Sequence, residues 1–208
     1  MVVALLSAGI AVAAVDPAGP AGAMKQFYEA MEANDAARVR TSFYTATAQE
    51  TALADAYADQ LTAARTLGEA LKQKYGATGD ALSKGIPLRE EIAALDKAEV
   101  KVDGDKATLK LPDQQRPLHL VKVNGSWRIA IADYAGATPA NIAVQTKVLS
   151  EMAGIFDSVA ADVTAGKFPG AAEAQRALQQ KLQVVLFNTL QKHPPTTTQA
   201  TSKPAGKE

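Results

Sequence analysis

Apolar and polar positions alternate with period two most clearly from Pro117 to Tyr134, PLHLVKVNGSWRIAIADY. Two alternating runs meet there at Asn124-Gly125, a dipeptide that tolerates the positive φ values of a tight type I′ turn. A two-residue loop pairs Val123 with Ser126 and sets Lys122 opposite Trp127, Leu120 opposite Ile129 and Leu118 opposite Ile131. Leu118, Leu120, Trp127, Ile129 and Ile131 then share one face, which is expected to be buried. The other face carries His119, Val121, Val123, Ser126, Arg128 and Ala130, and is polar enough to line solvent or a cavity.

A second hairpin is expected over Ala98 to Leu111, AEVKVDGDKATLKL. A two-residue Asp103-Gly104 loop would oppose Lys101 to Lys106, whereas a four-residue loop opposes Val100 to Leu109 and Glu99 to Lys110; like-charge repulsion favours the second. Pro112 closes the strand and Asp113 to Arg116 form a polar link to the main hairpin, so four strands are expected in an antiparallel meander.

Elsewhere the period is helical. Met24, Phe27, Tyr28 and Met31 place an apolar stripe on a short helix, which Asn34-Asp35 ends while capping a second one carrying Val39, Phe43 and Tyr44. Between Ala48 and Tyr75 the apolar positions recur every three or four residues, predicting a helix about 40 Å long with Gly76 at its end. Residues 76–86 read as a loop, and Pro87 opens a short helix with Leu88, Ile92 and Leu95 on one side. Thr138-Pro139 reads as a cap before a helix running to Gly166. Leu178, Leu182, Val185, Leu186 and Leu190 mark another that stops before Pro194-Pro195. Joined by Phe168-Pro169-Gly170, these two are expected to pack as an antiparallel pair over 138–192.

The 208 residues, 47% hydrophobic and 21% charged, suit a single α+β domain over 23–193, large enough to bury roughly 70% of the unfolded surface. Lys plus Arg and Asp plus Glu both number 22, with the signs interleaved, so no nucleic-acid footprint is expected. The absence of cysteine excludes disulfides, thiolate metal sites, cysteine nucleophiles and a lipid-bearing cysteine. His119 and His193 are far apart in sequence, and no nucleophile motif, phosphate-binding loop or metal-ligand spacing occurs, so neither cofactor nor metal is expected.

Met1 to Val15, MVVALLSAGIAVAAV, is short for a bilayer span but suits a signal-peptide core, although basic residues are missing from its front. Export is the expectation, to the periplasm or the extracellular space, with no stable membrane span once the signal is removed. A buried N-terminal strand or helix and an uncleaved anchor are the alternatives. Residues 16–22, DPAGPAG, read as a linker, and 194–208 as a disordered tail.

The phrase Phe27-Tyr28-Glu29-Ala30-Met31, the Asn34-Asp35 step and the run Val121 to Ile129, VKVNGSWRI, together resemble the nuclear transport factor 2-like (SnoaL-like) superfamily, particularly its small exported bacterial members of unknown role. The resemblance covers roughly residues 23 to 134 and implies a cone-like α+β scaffold, from which the C-terminal helical pair departs. That superfamily includes isomerases, dehydratases, transport adaptors and binding modules, so the scaffold does not decide the role.

His119, Arg128, Asp133 and Tyr134 are the candidate catalytic residues. A histidine or carboxylate beside a tyrosine or arginine donor suits proton abstraction next to a carbonyl. The plainer reading leaves His119 and Arg128 as surface residues on the solvent side of an antiparallel sheet. Trp127 reads as core packing rather than a stacking platform, and Tyr28, Tyr57 and Tyr75 as core-edge residues in phase with their helices. Arg89-Glu90-Glu91 reads as a solvated helix face, and His193 as a partner for a helix C-terminus. The expected role is an exported, non-enzymatic scaffold for a small apolar ligand or protein partner. A general acid/base isomerase or hydratase and an oligomerising structural protein are the alternatives.

Overall fold

A computed structural model describes residues 16–82, 88–112 and 114–192. The expected signal segment, Pro87, Asp113, His193 and the tail lie outside the described residues. In chain order the elements are α1 (Pro20–Glu32), α2 (Ala36–Thr41), β1 (Phe43–Tyr44), α3 (Ala48–Tyr75), α4 (Ala77–Leu82), α5 (Leu88–Leu95), β2 (Glu99–Asp103), β3 (Lys106–Lys110), β4 (Leu118–Val123), β5 (Ser126–Ala130), α6 (Ile131–Tyr134), α7 (Ile142–Thr164) and α8 (Ala171–Lys192). The class is α+β.

Local chemistry accounts for several boundaries. Asp35 caps α2 by accepting from the Arg38 amide at 3.0 Å. At the start of α3, Thr47 caps the helix by accepting from the Glu50 amide at 3.1 Å, and the Glu50 carboxylate reaches back to accept from the Ala46 amide, one residue before the cap, at 2.6 Å. Other boundaries differ from expectation. Helix α1 begins at Pro20, inside the presumed linker, because proline fits the first helical turn, where no amide donor is required. Residues 77–82 form α4 rather than loop. Helix α7 begins at Ile142, not at Pro139, because the Thr138 amide donates to the Asn141 side chain at 2.7 Å and holds a turn there.

The sheet is five-stranded and mixed, in the order β1-β5-β4-β3-β2. Strand β1 was expected to be helical. Instead Phe43 and Tyr44 run parallel to β5, opposite Ile129 and Ala130, and the Ile129 amide donates to Ser42 O at 2.9 Å. The β4–β5 turn has φ of 50° at Asn124 and 81° at Gly125, and the register sets Leu120 opposite Ile129. Pairing with β4 stops at Ile129, so the expected Leu118–Ile131 pair does not form, and Ile131 starts the single turn α6. Between β2 and β3 the register sets Glu99 opposite Lys110 and Val100 opposite Leu109. The loop is Gly104-Asp105, two residues rather than four, with Gly104 supplying φ of 56° at the first turn position.

Two apolar cores divide the molecule. In the first, Met24, Phe27, Tyr28 and Met31 of α1, Leu53 and Ala58 of α3, and Leu95 of α5 cover Leu109, Leu120 and Ile129 on one sheet face. In the second, Ala63, Leu67 and Leu71 of the later turns of α3 pack against Phe156, Val159 and Val163 of α7, and α8 adds Ala174 and Leu178. Helix α3 therefore belongs to both cores, and the main partner of α7 is α3 more than α8.

Candidate functional site

The turn at Ile131 brings three of the four predicted site residues together. Because α6 bends the chain off β5, Asp133 swings back over β4 and its Oδ2 lies 3.3 Å from His119 Nδ1. Both side chains are about half exposed, at 48% and 58%. Tyr134, on the same turn, points inward, and its hydroxyl shares a 3.2 Å hydrogen bond with that of Tyr57. Arg128 stands opposite Val121 on the far sheet face and lines neither of the clefts described next.

The His119–Asp133 pair forms the ridge between two open clefts. The first, about 620 Å³, lies between α5, the 114–118 link and the 132–138 turn. Tyr28 and Tyr134 contribute its aromatic wall, and Glu91, Arg116, His119 and Asp133 its charges. The second, about 650 Å³, lies on the other sheet face and runs from Tyr44 and Glu50 at one edge to Lys101 and Asp103 at the other. Ala46 and Glu50, which precede and open α3, wall it at the β1 edge.

Behind the first cleft stands an aromatic cluster. Phe27 makes edge contacts with Phe43 and Tyr134 at centroid separations of 5.3 and 5.7 Å, and Tyr57 makes edge contacts with Phe43 and Tyr134 at 5.6 and 5.5 Å. Such edge-to-face geometry places positive ring edges against negative faces. Burial raises the Tyr134 hydroxyl well above the ordinary tyrosine value, and neighbouring Tyr57 adds to the shift. Burial also raises Tyr57, opposed by its bond to Tyr134. Tyr28 is raised first by burial and then by the charge of Glu91. All three phenols are therefore neutral near pH 7 and able to donate hydrogen bonds.

Glu91 was expected on a solvated face. It is instead drawn to Tyr28, and the signal was present in the sequence: with Leu88, Ile92 and Leu95, Glu91 falls on the apolar stripe of α5. Arg116 gave no such signal, because it lies in an irregular link and reaches the cleft only through the tertiary fold. Trp127 is half-buried against the first core, with the Lys122 amine 5.7 Å from its ring centre. Tyr75 is tied to the helical end by a 3.0 Å bond from its hydroxyl to Phe168 O.

Among the described residues no group of three or more His, Asp or Glu side chains is placed to hold a metal ion. No helix among them is long and apolar enough to cross a membrane. Compared with protein-family models, with curated proteins and with solved structures, the chain matches none.

Proposed function

We propose that this chain is an exported binding module on a SnoaL-like scaffold, holding a small ligand in the cleft walled by Tyr28 and Tyr134 without transforming it. The ligand has an apolar, ring-like body that lies against the two tyrosines and a polar end that meets Arg116, His119 and Asp133. One observation carries the reading: the space between sheet and helices is packed solid. Leu109, Leu120, Ile129 and Phe27 are each at most 1% exposed. Acid/base catalysis gains when the reacting groups are shielded from water, because their electrostatic interactions then strengthen. Here the imidazole–carboxylate pair instead stands at the mouth of an open cleft.

Titration with anilinonaphthalene sulfonate, an apolar dye with an anionic end, tests this. The dye should bind the native protein, and Ala137→Trp, which fills the cleft from its wall, should weaken binding at least tenfold. Equal binding by both proteins would sink the proposal. The 3.3 Å contact between His119 and Asp133 favours a second reading, a general acid/base isomerase or hydratase. Turnover of an enolisable ketone that is lost in both His119→Ala and Asp133→Asn would replace the first reading with the second.

A further inference from the structure

Strand β2 ends the sheet, and all five of its residues are exposed. Its hydrogen-bonding direction follows from the neighbouring ladders. The Lys122 amide donates to Asp105 O, so alternate residues of β3, Ala107 and Leu109, turn their backbone groups toward β4. Lys106, Thr108 and Lys110 therefore bond to Asp103, Lys101 and Glu99. The amide and carbonyl groups of Val100 and Val102 consequently point outward along the free edge. Those two side chains lie on the same sheet face as Leu109 and Ala107, their cross-strand partners, yet remain 38% and 56% exposed. An edge with two apolar residues that find no strand partner among the described residues, and with no proline, is a template for another strand.

The charges specify which strand. On the opposite face the sequence reads Lys97, Glu99, Lys101, Asp103, alternating in sign. Antiparallel self-pairing centred on Lys101 would oppose Lys101 to Lys101 and Glu99 to Asp103, and like charges directly opposite are unfavourable. Centring on Val102 pairs Lys101 with Asp103 but sets Glu99 opposite Asp105. Centring on Val100 sets Glu99 opposite Lys101 and Lys97 opposite Asp103, twice each, and stacks Val100 on Val100 and Ala98 on Val102 on the apolar face.

We infer that β2 is a homodimerisation edge: two copies of this chain pair antiparallel through β2, with Val100 opposite Val100, to form one continuous ten-stranded sheet. The Val100 and Val102 amides supply four intermolecular hydrogen bonds, to Val100 O and Ala98 O of the other copy. The Ala98 amide takes no part, because it already donates to Leu95 O at 3.1 Å.

Sedimentation equilibrium of the full chain should give twice the 21.7 kDa chain mass. Val100→Lys should return it to monomer with an unchanged circular dichroism spectrum. Lys101→Glu, which opposes Glu to Glu99, should raise the dimer dissociation constant at least tenfold, and adding Glu99→Lys should restore it. Because the chain lacks cysteine, the register can be read directly. Val100→Cys should form an intermolecular disulfide under mild oxidation, since residues in a hydrogen-bonded pair lie about 5.5 Å apart between Cα atoms. Val102→Cys should not. A monomer at every concentration, a dimer indifferent to both β2 variants, or faster crosslinking at residue 102 than at residue 100 would each overturn the inference.

Discussion

The sheet end and the helical end of this molecule are built on the same helix, α3, yet they pack by different means. At the sheet end the first three turns of α3 face rings: Phe27, Phe43, Tyr57 and Tyr134 interlock edge to face between helix and sheet. At the helical end the contacts are small. Ala63, Ala153, Ala160 and Ala174 let α3, α7 and α8 approach closely around Leu67, Phe156 and Val159. A helix and a sheet leave a wide layer between them that rings can fill, whereas helices that pack on helices close onto short side chains. The ring-filled layer also supplies polar handles at its rim, and the first cleft opens there.

Three changes break or sharpen that contrast. The largest effect belongs to Phe27→Ala. Phe27 is fully buried and touches three other rings, so its loss should cost about 3–5 kcal/mol in denaturant unfolding. A cost below about 1 kcal/mol would mean that the ring cluster does not hold the sheet end together. Next, Ala160→Leu forces bulk into a seam built for a methyl group and should cost about 1–3 kcal/mol. A neutral result would show slack between α3 and α7 that the contrast does not allow.

The smallest effect concerns the paired hydroxyls. Tyr57→Phe and Tyr134→Phe should each cost about 0.5–1.5 kcal/mol, and the double variant should cost less than the sum, because removing both leaves no orphaned partner. The same groups set an alkaline limit. Their folded values lie above the ordinary 10.0, which the unfolded chain retains. The stabilisation is therefore complete below pH 10 and is lost as the pH climbs from there toward the folded values. Near-ultraviolet titration should find Tyr28, Tyr57 and Tyr134 ionising only as the fold is lost. Three phenols ionising near pH 10 in an intact fold would contradict the packing described.

The two cores also explain which parts of the site were readable in advance. His119, Asp133 and Tyr134 are legible as a set because one hairpin and its exit carry them, although the pattern extends the strand to Ile131, where the structure already begins a helical turn. A helical turn and a strand end look alike in the apolar-polar pattern of IAIADY, and only the inward demand of Tyr134 toward Tyr57 separates them. Arg128 was grouped with them by strand phase alone, and phase places it on the correct face but at the wrong distance.

What the sequence by itself determined is whatever rests on neighbours along the chain. The Asn124-Gly125 turn, the Asp35 cap, the stripe of α3 and the charge-matched register of β2 on β3 all depend on backbone sterics or on contacts a few residues apart. What only the tertiary structure decided is whatever needs a distant partner. Phe43-Tyr44 has no local reason to be strand until β5 offers free backbone groups. Helix α3 carries one continuous stripe and does not announce that half of it meets a sheet and half a helix. The clefts take Glu91 from one element, Arg116 from a link and Asp133 from a turn. No local pattern encodes such a meeting, because its energy comes from burial shared by segments that are contiguous only in the folded state.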